Sequence, residues 1–517
     1  MTETLRLFLP LDSVAVSLGA NEAGERLIAY ANALGKAIEL VRTGSRGMHW
    51  LEPLLEVEVG GVRYGFGPLT QENGGEVLAA IIAGDMAGPH SIGVVEDHPF
   101  LAKQTRRIFD RCGKTDPLSL EDFKRHGGHA GLNAALESSG DEICEAILQS
   151  GLRGRGGAGF PAGRKWKTVA AAPAGQKYIV VNADEGDSGT FADRMIMEGD
   201  PFLLLEGMAI AALAVGADKG FIYLRSEYPV AAWVLSRAIA AAYEAGMLGE
   251  DFAGLGKRFD VELFIGAGAY ICGEETSLLN SLEGKRGEVR AKPPIPALEG
   301  LFDKPTLVHN VLTLCAAPAI LAHGAAAYRA LGVGDSAGTM PFQLAGNIKH
   351  AGLFEAGFGV TLGELVHDIG GGARNGRPVR AVQIGGPLGA YLPPSLFHLP
   401  MDYETMLANG AGVGHGGVVV FDDSVDLMAQ ARYAFEFCAE ESCGKCTPCR
   451  IGAVRGVEVL DRWRDGVETE KQKQIIEDLC ELMVDGSLCA LGGMTPIPVQ
   501  SAMKHFATDF RPHGAKN

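Results

Sequence analysis

Four of the ten cysteines carry the most specific chemistry in the chain. The stretch "ESCGKCTPCR" places Cys443, Cys446 and Cys449 in a C-x2-C-x2-C run, and Cys489 follows in "GSLCALGG". Three thiolates on one tight loop with a remote fourth suit a cubane [4Fe–4S] cluster, in which each iron takes one cysteine. Structural zinc is the alternative, although zinc more often draws on paired C-x2-C units. Cys438 and Cys480 fall on apolar helix faces and read as core residues. Cys112, Cys144, Cys272 and Cys315 are isolated and read as non-ligands. Clustered thiols without a disulfide framework point to a reducing compartment.

A second candidate site is "GLRGRGGAGFP", residues 151–161, with Gly154, Gly156 and Gly159 spaced as G-x-G-x-x-G. A Rossmann turn follows a strand and opens a helix. Here "DEICEAILQSGL" before the run has a helical pattern, and Pro161 and Gly163 after it argue against an immediate helix. The bland reading is a flexible glycine loop. The chemical reading is a cradle: Gly154, Gly156, Gly157 and Gly159 let the backbone approach a ligand closely, and Arg153, Arg155, Arg164 and Lys165 add positive charge. Such a loop suits a phosphate or a flat ring system. Two further turns follow strands. "NADEGDSGTFADR" (182–194) brings Asn182, Asp184, Glu185 and Asp187 to a cleft position, unless it is only a solvated acidic turn. "GAGAYICGEETSLLNSLEG" (266–284) places Glu274 and Glu275 near a helix start, where they could simply complement the helix dipole.

The elements that must position these groups alternate. "KYIVV", "GFIYL" and "VELFI" read as strands, separated by the helical stretches "PFLLLEGMAIAALAVGA" and "VAAWVLSRAIAAAYEAGML". Asp200 is the expected N-cap of the first helix, with Pro201 at its first position. This β-α-β-α-β order implies a parallel sheet with right-handed crossovers. The first hundred residues read as a small α/β unit: strands at 5–11 and 38–41, a helix with Leu27, Ile28, Ala31 and Leu34 on one face, and a hairpin over 55–67 turning at Gly60-Gly61. Residues 340–420 hold short strands around one helix whose start carries a Thr361/Glu364 capping box. Beyond 424 the pattern is helical, with Val425, Met428, Ala431, Phe435 and Cys438 on one stripe and Ile475, Ile476, Leu479, Cys480 and Met483 on another.

A length of 517 residues allows about three or four domains. With 46 basic and 63 acidic residues the net charge is −17, which excludes a nucleic-acid scaffold or an anionic-membrane binder. No apolar run reaches the roughly 18 residues of a membrane span. The start "MTETLRLFLPLDS" has no secretory pattern, and the expected location is the cytoplasm.

Taken together, "SGLRGRGGAGFPAGRKW", "NADEGDSGTFADR", "YICGEETSLLNSLEG", "KPPIPA" and "ESCGKCTPCR" resemble the flavin-carrying, NADH-oxidising subunit of respiratory complex I. The same module occurs in bidirectional hydrogenases and NAD-dependent formate dehydrogenases. The resemblance runs from residue 115 to the C-terminus. It implies a multidomain α/β chain: a thioredoxin-like domain over 1–110, a Rossmann-like FMN and NADH domain over 111–338, a ubiquitin-like β-grasp domain over 339–420 and a helical [4Fe–4S] bundle over 421–517. It implies that Gly154, Arg155, Gly156, Gly157 and Lys165 hold FMN, with Asn182, Asp184, Tyr270, Gly273, Glu274, Asn310 and Thr313 completing that site. Phe160, Glu185, Asp187, Glu275 and Lys292 would face NAD(H), with Glu185 closest to the chemistry. Three positions depart from the family pattern: Asp187 stands for a common Glu, His309 for a common Asn, and Ile295 after "KPP" for a common aromatic residue.

No cysteine precedes Cys112, and "RTGSRGMHWLEPL" occupies the place where a related [2Fe–2S] domain has ligands. With "DHPFLAKQTRRIFDRCGKTDPLSLEDF", this leader resembles the β (diaphorase) subunit of soluble molybdenum- or tungsten-dependent formate dehydrogenase. The implied partners are the catalytic molybdenum or tungsten subunit and a small thioredoxin-like [2Fe–2S] subunit. The rival readings are the equivalent complex I or hydrogenase subunit, a zinc-containing NAD(P)-linked dehydrogenase and a non-catalytic electron-transfer scaffold.

Overall fold

The computed structural model describes residues 4–511. Its first sheet has the order β2-β1-β3-β4-β5, from β1 (Leu5–Pro10), β2 (Ile38–Thr43), β3 (Leu55–Val59), β4 (Val62–Phe66) and β5 (Ser91–Val94). β1 and β2 are parallel; the other pairs are antiparallel. The hairpin turns at Gly60-Gly61, both left-handed, as a two-residue turn between twisted strands requires. Helices α1 (Ala20–Ala33) and α2 (Gly74–Ile82) pack Leu27, Ala31, Val77 and Leu78 against Leu7, Leu9, Leu55 and Val57. The buried stripe of α1 is Ala20, Ala23, Leu27 and Ala31; Ile28 and Leu34 are 41% and 58% exposed and lie off it.

The glycine run lies between α3 (Gly140–Gln149) and α4 (Ala162–Ala171). A helix precedes it, as the sequence predicts. A helix also follows at once, contrary to expectation, because Pro161 serves as the cap residue and Gly163 lets α4 press against α3: a Cβ there would lie 2.4 Å from the Leu148 Cα.

Four parallel strands form the second sheet in the order β8-β7-β6-β9: β6 (Tyr178–Ala183), β7 (Lys219–Leu224), β8 (Asp260–Ile265) and β9 (Thr306–Asn310). Between β6 and β8 the chain runs through α5 (Ala192–Gly199), α6 (Pro201–Val215) and α7 (Pro229–Glu244), packed on the face carrying Ile179, Val181, Ile222 and Leu224. The chain then reverses direction across the sheet to β9. A right-handed crossover in the reverse direction must use the opposite face. Accordingly α8 (Glu275–Leu282) packs Leu278 and Leu279 against Val180, Tyr223 and Val308. Strand β9, absent from the sequence expectation, leads directly into α9 (Val311–His323).

A third, mixed sheet has the order β11-β10-β14-β12-β13, built from β10 (Thr339–Gly346), β11 (Gly352–Gly357), β12 (Val379–Ile384), β13 (Ala390–Leu392) and β14 (Gly417–Asp422). The Thr361/Glu364 capping box is formed, but it opens a π-helical turn at Glu364–Ile369. The C-terminal segment comprises α10 (Leu427–Glu441), α11 (Thr447–Arg464), α12 (Thr469–Gly486), α13 (Ala490–Met494) and α14 (Pro496–His505). Met428, Ala431, Phe435, Cys438, Ile476, Cys480 and Met483 are buried in a core continuous with the second face of the parallel sheet. Val425 precedes α10, and Ile475 is exposed. Among the described residues no helix is long and apolar enough to cross a membrane.

Buried carboxylates seam these units together. Glu355 on β11 accepts from the backbone N–H groups of Arg107, Ile108 and Phe109 and from the Thr339 hydroxyl. Asp200 precedes Pro201 but makes no side-chain cap; its carboxylate instead takes Arg111 Nε at 2.8 Å. Glu198 accepts from Ser13 N at 2.8 Å and Ser13 Oγ at 2.5 Å, joining the first unit to α5. Burial, aided by Asp12, pushes the Glu198 carboxyl from its ordinary 4.5 up to about 7.

The folded state therefore holds the extra proton between those values, so this contact is strongest below about pH 4.5 and weakens as the pH rises through about 7. Glu198→Gln, neutral throughout, should flatten that dependence, worth on the order of 3 kcal/mol. Hydrogen-exchange protection of the Ser13 amide, measured across this range, reads the effect directly. An unchanged pH profile in the variant would place the titration elsewhere.

Candidate functional site

Ligands of open parallel sheets sit beyond the carboxyl ends of the strands, where the order of connection reverses. In this sheet that point lies between β6 and β9, and Asn182 pairs with Asn310 across it in register. Asn182 Nδ2 donates to Gly273 O at 2.7 Å. Asn310 caps α9 by accepting from Thr313 N at 3.3 Å and donates to Asp193 Oδ2 at 2.7 Å.

The glycine run closes over this point. Gly154 N donates to Phe160 O at 2.8 Å, and Arg155 N donates to Thr313 Oγ1 at 2.9 Å. A Cβ on Gly156 would lie 2.9 Å from the Asn310 Cβ, so only glycine allows the loop this close to β9. Gly157, at φ 110°, has open space where its side chain would be and is exposed with Gly156 and Ala158. Phe160 is 51% exposed. Arg155 plays a different part from the one its charge suggests. Its guanidinium is buried and donates to Tyr328 Oη, Ala337 O and Arg153 O, so it fixes the loop from behind.

Lys165 on α4 donates to Glu275 Oε2 at 3.2 Å and to Val308 O at 3.1 Å. Lys292 donates to Glu275 Oε1 at 2.8 Å and Glu274 Oε1 at 3.0 Å. Burial works to raise the Glu275 carboxyl, but Lys165 and Lys292 outweigh it and hold it below its usual range. The other oxygen of Glu274 caps α8 through Thr276 N and Ser277 N. The bland reading of Glu274 therefore holds for one oxygen, while the other joins the lysine.

After β6 the side chains alternate. Asp184 Oδ2 is buried without a partner, and burial pushes its carboxyl up to about 7 against the pull of Arg225. Glu185 turns the other way, which corrects the expectation that it faces the nucleotide. Its carboxylate is buried and accepts from Asp193 N, Arg194 N and Tyr228 Oη, each at 3.0 Å, with His415 Nε2 at 3.3 Å. Asp187 accepts from Tyr270 Oη at 2.7 Å. Tyr270 in turn receives Glu441 at its backbone N–H, and its ring meets Phe437 edge-on at 4.8 Å. His309 is buried and accepts from Trp166 Nε1 at 2.9 Å, a core role. His415, at Nδ1, lies 2.6 Å from Arg155 O; nothing in its glycine-rich surroundings marks it in the sequence.

Cys446 caps α11, Cys449 lies in its first turn, and Cys489 caps α13. All four cysteines pack on the same core. Cys449 Sγ lies 3.7 Å from Cys438 Sγ and 3.2 Å from Ser442 Oγ. The Cys438 contact leads the interactions that bring the Cys449 thiol down to about 6, while burial pushes Cys489 up to about 11. Cys438 is thus a core residue that also touches a ligand candidate. Cys480 is purely core, and Cys112, Cys144, Cys272 and Cys315 are buried away from the loop. Residues 270–289 tie the two sites together: Arg286 donates to Cys443 O, Lys445 donates to Val289 O, and Glu274 adds to the rise at Cys489.

These features fit the expected groups. An orphaned carboxylate oxygen beside two asparagine amides and an open glycine backbone suits the hydroxyl and ring N–H donors of a flavin. A donor set of four sulfurs, without nitrogen or oxygen, suits an iron–sulfur cluster better than zinc. A sequence model of the Nuo51 FMN-binding domain matches residues 147–319, and one of the NADH-ubiquinone oxidoreductase-F iron-sulfur binding region matches 429–513. The NADP-reducing hydrogenase subunit HndC of Solidesulfovibrio fructosivorans is 45% identical over 411 residues, 80% of this chain and 84% of that protein. The NADH-quinone oxidoreductase F subunit of Escherichia coli (strain K12) is 42% identical over 420 residues, 80% of this chain and 92% of that protein. The crystal structure of an NAD+-reducing [NiFe]-hydrogenase in its H2-reduced state superimposes with a TM-score of 0.69 at 30% identity, covering 99% of this chain and 86% of the other.

Gly156→Val should displace the loop from Asn310 and lower flavin content at least tenfold, about the scale of one lost charge-assisted contact. Full flavin content in the purified variant would remove the loop from the site. Cys489→Ser exchanges a soft thiolate for a harder hydroxyl; the iron–sulfur absorption and EPR signal should be lost while flavin content stays. A native EPR signal would exclude Cys489 as a ligand.

Proposed function

The chain belongs to the family of the NADH-quinone oxidoreductase F subunit, and from that premise we propose that it is the diaphorase subunit of a soluble NAD-linked formate dehydrogenase. As a family member it is an NAD-dependent flavin and iron–sulfur oxidoreductase subunit carrying FMN and a [4Fe–4S] cluster. Bound together, a flavin and a cluster convert two-electron hydride transfer into single-electron transfer.

The chain's own residues then have separable tasks. The backbone of Gly154, Gly156 and Gly157 and the side chains of Asn182, Asp184, Asn310 and Thr313 bind and orient the flavin. Lys165 supplies positive charge for its phosphate, with Gly273 and Glu274 on the opposite wall. Arg155 and Glu185 hold the walls in place from the interior. Phe160, Asp187, Glu275 and Lys292 receive the nicotinamide nucleotide: Phe160 offers an exposed ring, Asp187 an acceptor fixed by Tyr270, and Lys292 a cation fixed by two carboxylates. Cys443, Cys446, Cys449 and Cys489 hold the cluster beside residues 270–289.

The observation that carries the formate reading is the cysteine-free leader. Around the positions where a cluster would be ligated stand Asp12, Ser45 and Glu52, all buried, with Ser45 Oγ donating to Glu52 at 2.5 Å. This unit is thioredoxin-like in our reading and serves docking to a molybdenum or tungsten catalytic subunit and a small [2Fe–2S] subunit. The hydrogenase reading is favoured by the hydrogenase structure that matches 99% of the chain.

Purification of the native assembly decides between them. Formate-dependent NAD+ reduction, with molybdenum or tungsten in the complex, is the expected result. Hydrogen-dependent reduction with nickel, or quinone-linked NADH oxidation, would replace the formate assignment and leave the diaphorase role intact.

A further inference from the structure

His415 belongs to the glycine-rich loop that leads into β14, and it is 5% exposed. Its two ring nitrogens face acceptors on opposite sides. Nδ1 meets the Arg155 carbonyl at 2.6 Å; Nε2 meets Asp193 Oδ1 at 3.2 Å and Glu185 Oε1 at 3.3 Å. A carbonyl cannot donate, so Nδ1 carries hydrogen. Neighbouring carboxylates favour hydrogen on Nε2 as well, and the ring is an imidazolium. Burial works against that charge, but Asp193 and Glu185 outweigh it and hold the proton well above the usual histidine range.

The arrangement reaches both walls of the flavin cradle. Arg155 is the residue before Gly156 on the glycine loop. Asp193, through its other oxygen, accepts from Asn310 Nδ2 at 2.7 Å, and Asn310 is the residue against which Gly156 packs. A second strut runs parallel to the first, since Gly414 forms an isolated bridge with Gly157. The loop is thus pinned to β9 by contact at Gly156 and to α5 by ionic contact behind it.

We propose that His415 is a positioning residue of the flavin site, holding the Arg155 carbonyl and the Asp193–Asn310 pair at a fixed separation so that glycine loop and strand end present one preformed cradle. This rests on the reading that the flavin lies on the glycine loop. Removing the imidazole leaves Arg155 O without its donor and two buried carboxylates without their cation. The third sheet, otherwise remote from the flavin, thereby takes part in binding it.

The test is FMN affinity of the deflavinated full-length protein, read by quenching of FMN fluorescence, together with the midpoint potential of the bound flavin. His415→Gln keeps one donor but cannot serve both ends. It should raise the FMN dissociation constant at least tenfold and shift the potential. In Asp193→Asn/His415→Gln the affinity should fall little below that of the weaker single variant, because both act through one chain of contacts. A lowered melting temperature with native FMN affinity and potential, or fully additive losses, would overturn the proposal. Gly156→Val separates the two readings: if it too binds FMN normally, the glycine-loop site itself is wrong; if it loses FMN while His415→Gln does not, only the positioning role fails. Should His415→Gln not fold, histidine-labelled nitrogen NMR of the unaltered protein decides. One ring doubly protonated above the ordinary histidine range, with its Nδ1 signal moving on FMN addition, supports the role; no such ring overturns it.

Discussion

Strands β6 and β9 lie side by side, yet the chain reaches them by crossovers on opposite faces of the sheet. Right-handed connection makes this unavoidable once the order reverses, and it leaves a gap beyond the two strand ends that no helix fills. Everything else in the site is arranged around that gap. Asn182 and Asn310 line it because they are the last residues of the two strands. The glycine loop covers it because Gly156 permits contact with Asn310. Helix α8, on the second face, brings Glu274 and Glu275 to its rim and also packs in the core shared with the cysteine-bearing helices.

The same reversal explains how one chain sets a flavin and a cluster side by side. The first face of the sheet is sealed by α6, which is buried almost all round, so the only face left for another unit is the one α8 occupies. The helical segment docks there, with Tyr270 and residues 286–289 contacting residues 437–445. Two cofactor sites therefore share a common wall, and their separation is fixed by packed side chains.

Much of this was legible in the sequence where a pattern is local. The three glycine- or acid-rich turns, the C-x2-C-x2-C loop and the strands 178–183, 219–224 and 260–265 all announce themselves by spacing or periodicity. What the sequence hides depends on contacts across long separations. Arg155 reads as a ligand for an anion because charge is visible and its partners Tyr328, Ala337 and Tyr403 are not. Glu185 and Asp184 are indistinguishable as letters; only the pleat after β6 sends one into the cleft and the other into the interior. Strand β9 is five residues long and ends in polar groups, too little for a periodic signal. His415 is a single ring among glycines.

The seams between units also set an order on how the molecule is made. Ser13 cannot meet Glu198, nor Arg107–Phe109 meet Glu355, until the ribosome has added the later residue. At translation rates of about 5–20 residues per second, the first sheet waits on the order of ten to forty seconds before its carboxylate-lined edge is covered. Through that interval Asp12 and Glu52 remain hydrated and charged on a nascent surface, and mutual repulsion keeps that edge from associating with neighbouring chains. The acidity that is costly once buried thus protects the growing polypeptide before it is complete.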